Sequence, residues 1–232
     1  MPCLPSMRTP CFPLIHPWGS AKNMGLEHEY AILGGYNRTK VGRYLSQIAA
    51  AVSGVLVFIV LTLADVAKSL GLNVNIPPVV MSLIGAGIVY AGLHWFFDKH
   101  VWKNRRVAKL LKLPNLEGVW KCEGLSENQS PSISWLGTVT IIQSWEKIRV
   151  HLETEQSASN SVAAALLDDS PLGFHLMYHY RNDPRAGEPD LAAHHGFAEL
   201  TFSADGQTAH GGYFNGRGRN TFGTMKLVKE SA

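Results

Sequence analysis

From Tyr44 to Ala64 the chain reads YLSQIAAAVSGVLVFIVLTLA, about twenty residues without a charge. A helix of that length covers a hydrocarbon core of about 30 Å. In lipid the backbone must satisfy its own polar groups, so a lone run of this kind has only the helix open to it. Asp65 and Lys68 close the run, and SLGLNVNIPP then supplies the Gly, Asn and Pro pair of a short turn. Val79 to Phe97, VVMSLIGAGIVYAGLHWFF, is a second uncharged stretch of similar length. The competing reading is a buried helical hairpin in a soluble domain. Two such runs in succession favour membrane spans at 44–64 and 79–97. Tyr44 and Trp95 lie near the span ends, where aromatic belts sit.

The flanking charges orient the spans. Arg38, Lys40 and Arg43 precede the first, and Lys99, Lys103, Arg105, Arg106 and Lys109 follow the second. The connecting loop has only Lys68, offset by Asp65. The positive-inside rule therefore predicts a multi-pass protein with both termini cytoplasmic. Net charge is only +3, which does not suit a binder of nucleic-acid duplexes. Small residues recur four apart, at Ala49 and Ser53, Ala50 and Gly54, and Gly87 and Ala91. Such faces let helices approach closely, within one chain or between neighbours.

Residues 1–43 form an N-terminal segment. Its first part, 1–23, is Pro-rich and lacks the apolar core of a signal peptide. Met24 is the expected natural start, with 1–23 an extension or a tail without fixed structure. Cys3, Cys11 and Cys122 are too few and too irregular for a disulfide framework, which favours a reducing compartment for the C-terminal half.

Residues 98–115 read as a basic linker, and at 116 the pattern changes to short alternating runs. Strands are predicted at Glu117–Leu125, Gly137–Gln143, Lys147–Thr154, Ser157–Leu166, Gly173–Arg181, His194–Phe202, Gln207–Asn215 and Thr221–Val228. The run SASNSVAAALL also suits a helix. Phe174, Leu176, Tyr178 and Tyr180 share one face of their strand. Eight short strands over 116–232 predict a small antiparallel barrel, filled by side chains or holding one small ligand. The GVW at 118–120 resembles the Gly-x-Trp opening of lipocalin-like barrels, whose Trp plugs the closed end. The fold class is thus a membrane helical hairpin followed by an all-β domain, an eight-stranded barrel lipocalin-like in outline.

The order of parts is more specific than any one of them: HEYAILGGYNRTKVGRYL, two spans, a basic cluster, LPNLEGVWKCEG, QSWEKIRVHLETEQSAS, LMYHYRNDP, HHGFAELTF, HGGYFNGRGRNTFG. From about Met24 onward this resembles the CD-NTase-associated effectors with two transmembrane helices and a β-strand-rich domain, which serve cyclic-oligonucleotide antiphage signalling (CBASS). The resemblance implies a bacterial inner-membrane effector, functionally linked to a CD-NTase. Its barrel would bind a cyclic dinucleotide, and its helices would then self-associate and disrupt the bilayer, ending in abortive infection. It also implies a protein that is not an enzyme and needs no cofactor beyond the activating ligand.

A cyclic dinucleotide calls for aromatic platforms, phosphate donors and groups for base edges. The residues in the matching motifs are Tyr180 and Tyr213 for stacking, Asn182 as an amide, Arg217 and Arg219 for phosphate, and Thr221 and Ser159 as hydroxyls. Tyr178 and Tyr180 also suit a barrel core, and Arg217 a solvated turn. His175 and His179 lie about 13 Å apart along a strand, too far to share one metal ion. No G-x-S-x-G, P-loop or HExxH motif occurs. Two rivals stand beside this reading. A membrane-tethered carrier of a small hydrophobic ligand would have an apolar pocket. A structural membrane protein with a protein-binding barrel would have a filled core.

Overall fold

The computed structural model describes residues 26–72, 75–77, 79, 85–127, 131–169, 173–187, 192–216 and 220–230. The expectation for 1–23 lies outside them. Helix α1, Arg38–Ser69, takes in the whole first predicted span and begins earlier than Tyr44. Asn37 caps it by accepting from the Thr39 N–H at 2.8 Å. Val55, Phe58 and Leu63 are exposed along it, where the core helix of a soluble domain would bury them. Helix α2, Ala86–Lys99, carries the second half of the other span, while residues 80–84 fall outside the described residues. Among the described residues α1 alone is long and apolar enough to cross a membrane. The two helices pack together, with Ala49 and Ser53 the buried stripe of α1. Ala50, Gly54, Gly87 and Ala91 remain exposed.

The stretch read as a linker is folded. A 3-10 turn, Val101–Lys103, places Trp102 in full burial, and its indole N–H donates to the Asp98 carbonyl at 2.7 Å. Helix α3, Arg105–Leu111, follows, capped by Asn104 and ended by Lys112 in the left-handed region at φ 53°. Leu111, Leu113 and Leu116 then run buried into the strand-rich domain. The apolar spacing of these leucines, hidden among six cations in the sequence between 99 and 112, is what turns a linker into a plug.

Eight strands lie close to their predicted positions: β2 Gly118–Ser126, β3 Ile133–Gln143, β4 Lys147–Thr154, β5 Ser157–Asp169, β6 Gly173–Pro184, β7 His194–Phe202, β8 Thr208–Asn215 and β9 Phe222–Lys229. The ambiguous alanine run is a strand. The prediction of eight strands, all antiparallel, is corrected by a ninth. β1, His28–Leu33, comes from the N-terminal segment. It pairs antiparallel with β4 through His28 and Glu29, and parallel with β5 through Tyr30 to Leu33. β4 and β5 pair with each other only at His151–Glu153 against Ala158–Asn160. Beyond a bulge between Ser161 and Ala163 they splay apart, and β1 fills the gap. With β1 in place the strands close into a barrel.

The end of the barrel nearest the helices is solid. Trp120 is fully buried, stands edge-on to Phe202 at 5.1 Å and donates from its indole to the Leu116 carbonyl at 3.1 Å. Emptying such a site costs about 3–5 kcal/mol. Cys122 shares this core, and burial pushes its thiol up to about 12. It is the inert, structural kind of cysteine.

Candidate functional site

At the other end the barrel is hollow. The ends of β2, β4, β6 and β8 and the starts of β3, β5, β7 and β9 surround a cavity of about 860 Å³. That is within the usual range for small-molecule sites. Two aromatic walls define it. On one side Tyr213 and Trp135 meet edge to face at 5.8 Å, and the Trp135 indole donates to the Tyr213 hydroxyl at 3.2 Å. Ser126 Oγ lies 2.8 Å from the same hydroxyl. On the other side Tyr178 and Tyr180 lie in tandem, their centroids 6.0 Å apart. Burial raises the Tyr178 phenol well above its ordinary value, so it stays a neutral donor.

Two glycines make these walls possible. A Cβ at Gly124 would lie 2.0 Å from the Trp135 ring, and one at Gly196 would lie 2.5 Å from the Tyr180 ring and hydroxyl. Each ring rests on bare backbone, across the β2–β3 and β6–β7 pairings respectively.

Polar groups between the walls are mutually oriented. Tyr180 donates to Asn215 Oδ1 at 2.7 Å, and Asn215 Nδ2 donates to Thr221 Oγ1 at 2.6 Å. His194 Nδ1 lies 3.0 Å from the Ala192 carbonyl, which can only accept, so Nδ1 carries the proton. Nε2 is then the acceptor facing Asn182 Nδ2 at 3.4 Å, and Ser157 Oγ lies 3.3 Å from the same nitrogen. This fixes which way the Asn182 amide points. Its Oδ1 is buried and has no hydrogen-bond partner among the described residues.

Of the residues singled out by sequence, Ser159, Tyr180, Asn182, Tyr213 and Thr221 all line this cavity, although they come from three strands and the segment before β9. Arg217 and Arg219 lie outside the described residues. The described lining contains no Lys or Arg. Sequence reasoning missed Trp135, Asn215 and His194. Trp135 precedes the predicted start of β3 at Gly137, though the alternation of ISWLG already extends back to Ile133. Ser161, one step beyond Ser159 on the same face, is not in the lining. It accepts from the Val150 N–H at 2.9 Å and bonds His28 Nε2 at 2.7 Å, which ties β1 to β4 and β5.

A hollow β domain carried on an apolar helix is a membrane-anchored ligand-binding protein in its build. Residues 111–229 match the family described as Cap15, cyclic dinucleotide receptor domain, and residues 39–103 match Cap15, TM helices. CD-NTase-associated protein 15 of Yersinia aleksiciae is 44% identical over 202 residues, covering 87% of this chain and 97% of that protein. The chain belongs to the Cap15 family.

Proposed function

We propose that the cavity binds a cyclic dinucleotide and that the protein is the membrane effector of a CBASS defence. The observation that carries this reading is the cavity itself, with two aromatic walls and hydroxyl and amide groups between them, in the segment matching the receptor-domain family. Tyr180 and Tyr213 give the bases stacking surfaces, each stack contributing about 1–3 kcal/mol. Ser159 and Thr221 supply hydroxyls. A rotation of the Asn182 amide brings its unpartnered oxygen to a base N–H. Arg217 and Arg219, between the lining residues Asn215 and Thr221 in sequence, supply the charge for phosphate. A carrier of hydrophobic ligands would line the same space with aliphatic side chains, and a scaffold would fill it.

Occupancy acts by binding, with no catalytic step. It changes the association of the membrane helices and so disturbs the inner membrane. The basic flanks support an orientation with both termini and the receptor domain in the cytoplasm. Two spans, with the second running from about Val79 to Phe97, complete the anchor.

The test is calorimetric titration of the full chain in lipid nanodiscs with a panel of cyclic dinucleotides, repeated with Tyr213→Ala. The full chain is needed because a fragment beginning at 116 lacks β1 and leaves the gap between the splayed parts of β4 and β5 unfilled. Binding of one member, weakened on the order of ten- to a hundredfold by the substitution, is the expected result. A folded protein that binds no member would overturn the proposal.

A further inference from the structure

Helix α3 carries cations that the fold does not use. At about 100° per residue, Arg105, Arg106, Lys109 and Leu110 fall on one arc, and Val107, Ala108 and Leu111 on the opposite one. The second arc faces the core, with Leu111 buried and Val107 packed against it. The first is exposed, Leu110 at 68%. Arg105, Arg106 and Lys109 make no ion pair among the described residues. Neighbouring cations do, since Lys103 is paired with Glu117 and Lys112 lies 3.9 Å from Asp168. Helix stability does not account for the two arginines either, because the first turn is the end at which the helix dipole disfavours cations.

The position of α3 says what these groups face. Its first residue follows the end of α2 by one 3-10 turn, and Trp102 pins that turn back onto Asp98. Its last residue, Leu111, accepts from the Tyr36 N–H at 3.2 Å, directly before the Asn37 cap of α1. The helix therefore bridges the ends of both membrane helices. Trp95 and Phe96, 60% and 51% exposed, stand one turn inside α2, and the exposed Arg43 and Tyr44 lie in the second turn of α1. An apolar side chain ringed by cations beside two span ends is the pattern of a surface that rests in the headgroup layer.

We propose that α3 is a lipid-docking plate. Arg105, Arg106 and Lys109 bind anionic phospholipid headgroups of the bilayer that the chain crosses, Leu110 reaches the acyl boundary, and the receptor domain is thereby held in one orientation. This rests on the membrane reading of α1 and α2 but not on the identity of the cavity's ligand. Each such cation adds about fivefold to headgroup affinity, so the three together add on the order of a hundredfold.

The experiment uses the full chain in nanodiscs, without any cyclic dinucleotide. Amide hydrogen exchange over residues 105–111 is compared in phosphatidylcholine alone and with about one-third phosphatidylglycerol. Exchange is expected to slow roughly tenfold or more in the anionic discs. That slowing should disappear in high salt and in the triple variant Arg105→Gln, Arg106→Gln, Lys109→Gln, while the exchange of β2–β9 stays unchanged. Equal exchange in the two lipids, or unaltered slowing in the triple variant, would overturn the proposal. So would equal slowing by inorganic phosphate in phosphatidylcholine discs, which would make the arc a free-phosphate site.

Discussion

At the residue scale, the cavity depends as much on what is missing as on what is present. Trp135 and Tyr180 form opposite walls because Gly124 and Gly196 leave room beneath their rings. A methyl group at Gly124 would meet three atoms of the indole within 2.6 Å. The indole can yield only by turning into the cavity or out of the wall. Gly124→Ala should therefore weaken cyclic-dinucleotide binding by roughly tenfold or more, with a loss of stability of about 1–3 kcal/mol from overpacking. Titration gives the first quantity and urea unfolding the second. Unchanged affinity in the variant would show that the Trp135 wall does not touch the ligand. Gly124 lies at an inward position of β2, in the series Trp120, Cys122, Gly124, Ser126. A glycine in an otherwise inward-facing series is a sequence-level sign that a ring from the neighbouring strand lies over it. That sign becomes legible only once the register of β2 against β3 is known.

At the scale of elements, β1 is the piece that sequence reading does not supply. The eight strands from 118 to 229 are legible because each alternates between a packed and a wet face. HEYAIL alternates too, with Tyr30 buried and Ile32 half-buried, but it is six residues long and stands next to a membrane span. What makes it a strand lies far away, in a gap that opens only because β5 bulges at Ser161. The cavity residues divide in the same way. Tyr180, Asn182, Tyr213 and Thr221 stand at strand ends that alternation and turn residues mark, whereas His194 and Asn215 are known by the partners they hold. The seam around Ser161 has a testable weight. Val150 N–H points at the stretch where neither β5 nor β1 offers a carbonyl, and Ser161 Oγ takes its place. The Ser161 hydroxyl then serves His28 Nε2, whose other nitrogen faces the Glu29 carbonyl at 3.0 Å. Ser161→Ala leaves a buried N–H without a partner, at a cost of about 1–3 kcal/mol. Hydrogen exchange should quicken across His28–Leu33 and at Val150, with β7–β9 unchanged. A variant in which β1 exchanges no faster would show that β1 is held by its backbone pairing alone.

At the scale of the whole molecule, the cavity and the membrane helices lie at opposite ends of the barrel, and the connection between them is specific. The turn between β3 and β4, Ser144–Glu146, is gripped from both helices. Arg38, the first residue of α1, donates to the carbonyls of Tyr30 and, at 3.0 Å, Trp145, and its guanidinium lies over the Tyr30 ring at 4.6 Å. From α2, Asp98 Oδ1 accepts from the Glu146 N–H at 3.1 Å, and Phe97 stands edge-on to Trp145 at 5.4 Å. Gln143, one residue before the turn, accepts from the Leu116 N–H at 2.8 Å and donates to the Pro114 carbonyl at 3.2 Å. A change in the spread of β3 and β4 at the cavity thus reaches both helices through one turn, and reaches α1 again through β1. If ligand occupancy is to alter the helices, the occupied and empty barrels must hold this turn differently, since a ligand with equal affinity for both states shifts nothing. Arg38→Met keeps the length of the side chain but removes the guanidinium bonds and its contact with the Tyr30 face, interactions that contribute about 1–3 kcal/mol. The cavity is a barrel length away, so affinity for the activating cyclic dinucleotide should stay within about twofold, because sites this far apart act nearly independently. Ligand-triggered dye release from proteoliposomes should fall by an order of magnitude or more, since occupied barrels would no longer drive α1. Binding and release measured on the same preparation separate the alternatives. If both fall together, Arg38 supports the receptor fold. If release persists at the normal ligand concentration, the signal travels through α2 and Asp98 without needing Arg38.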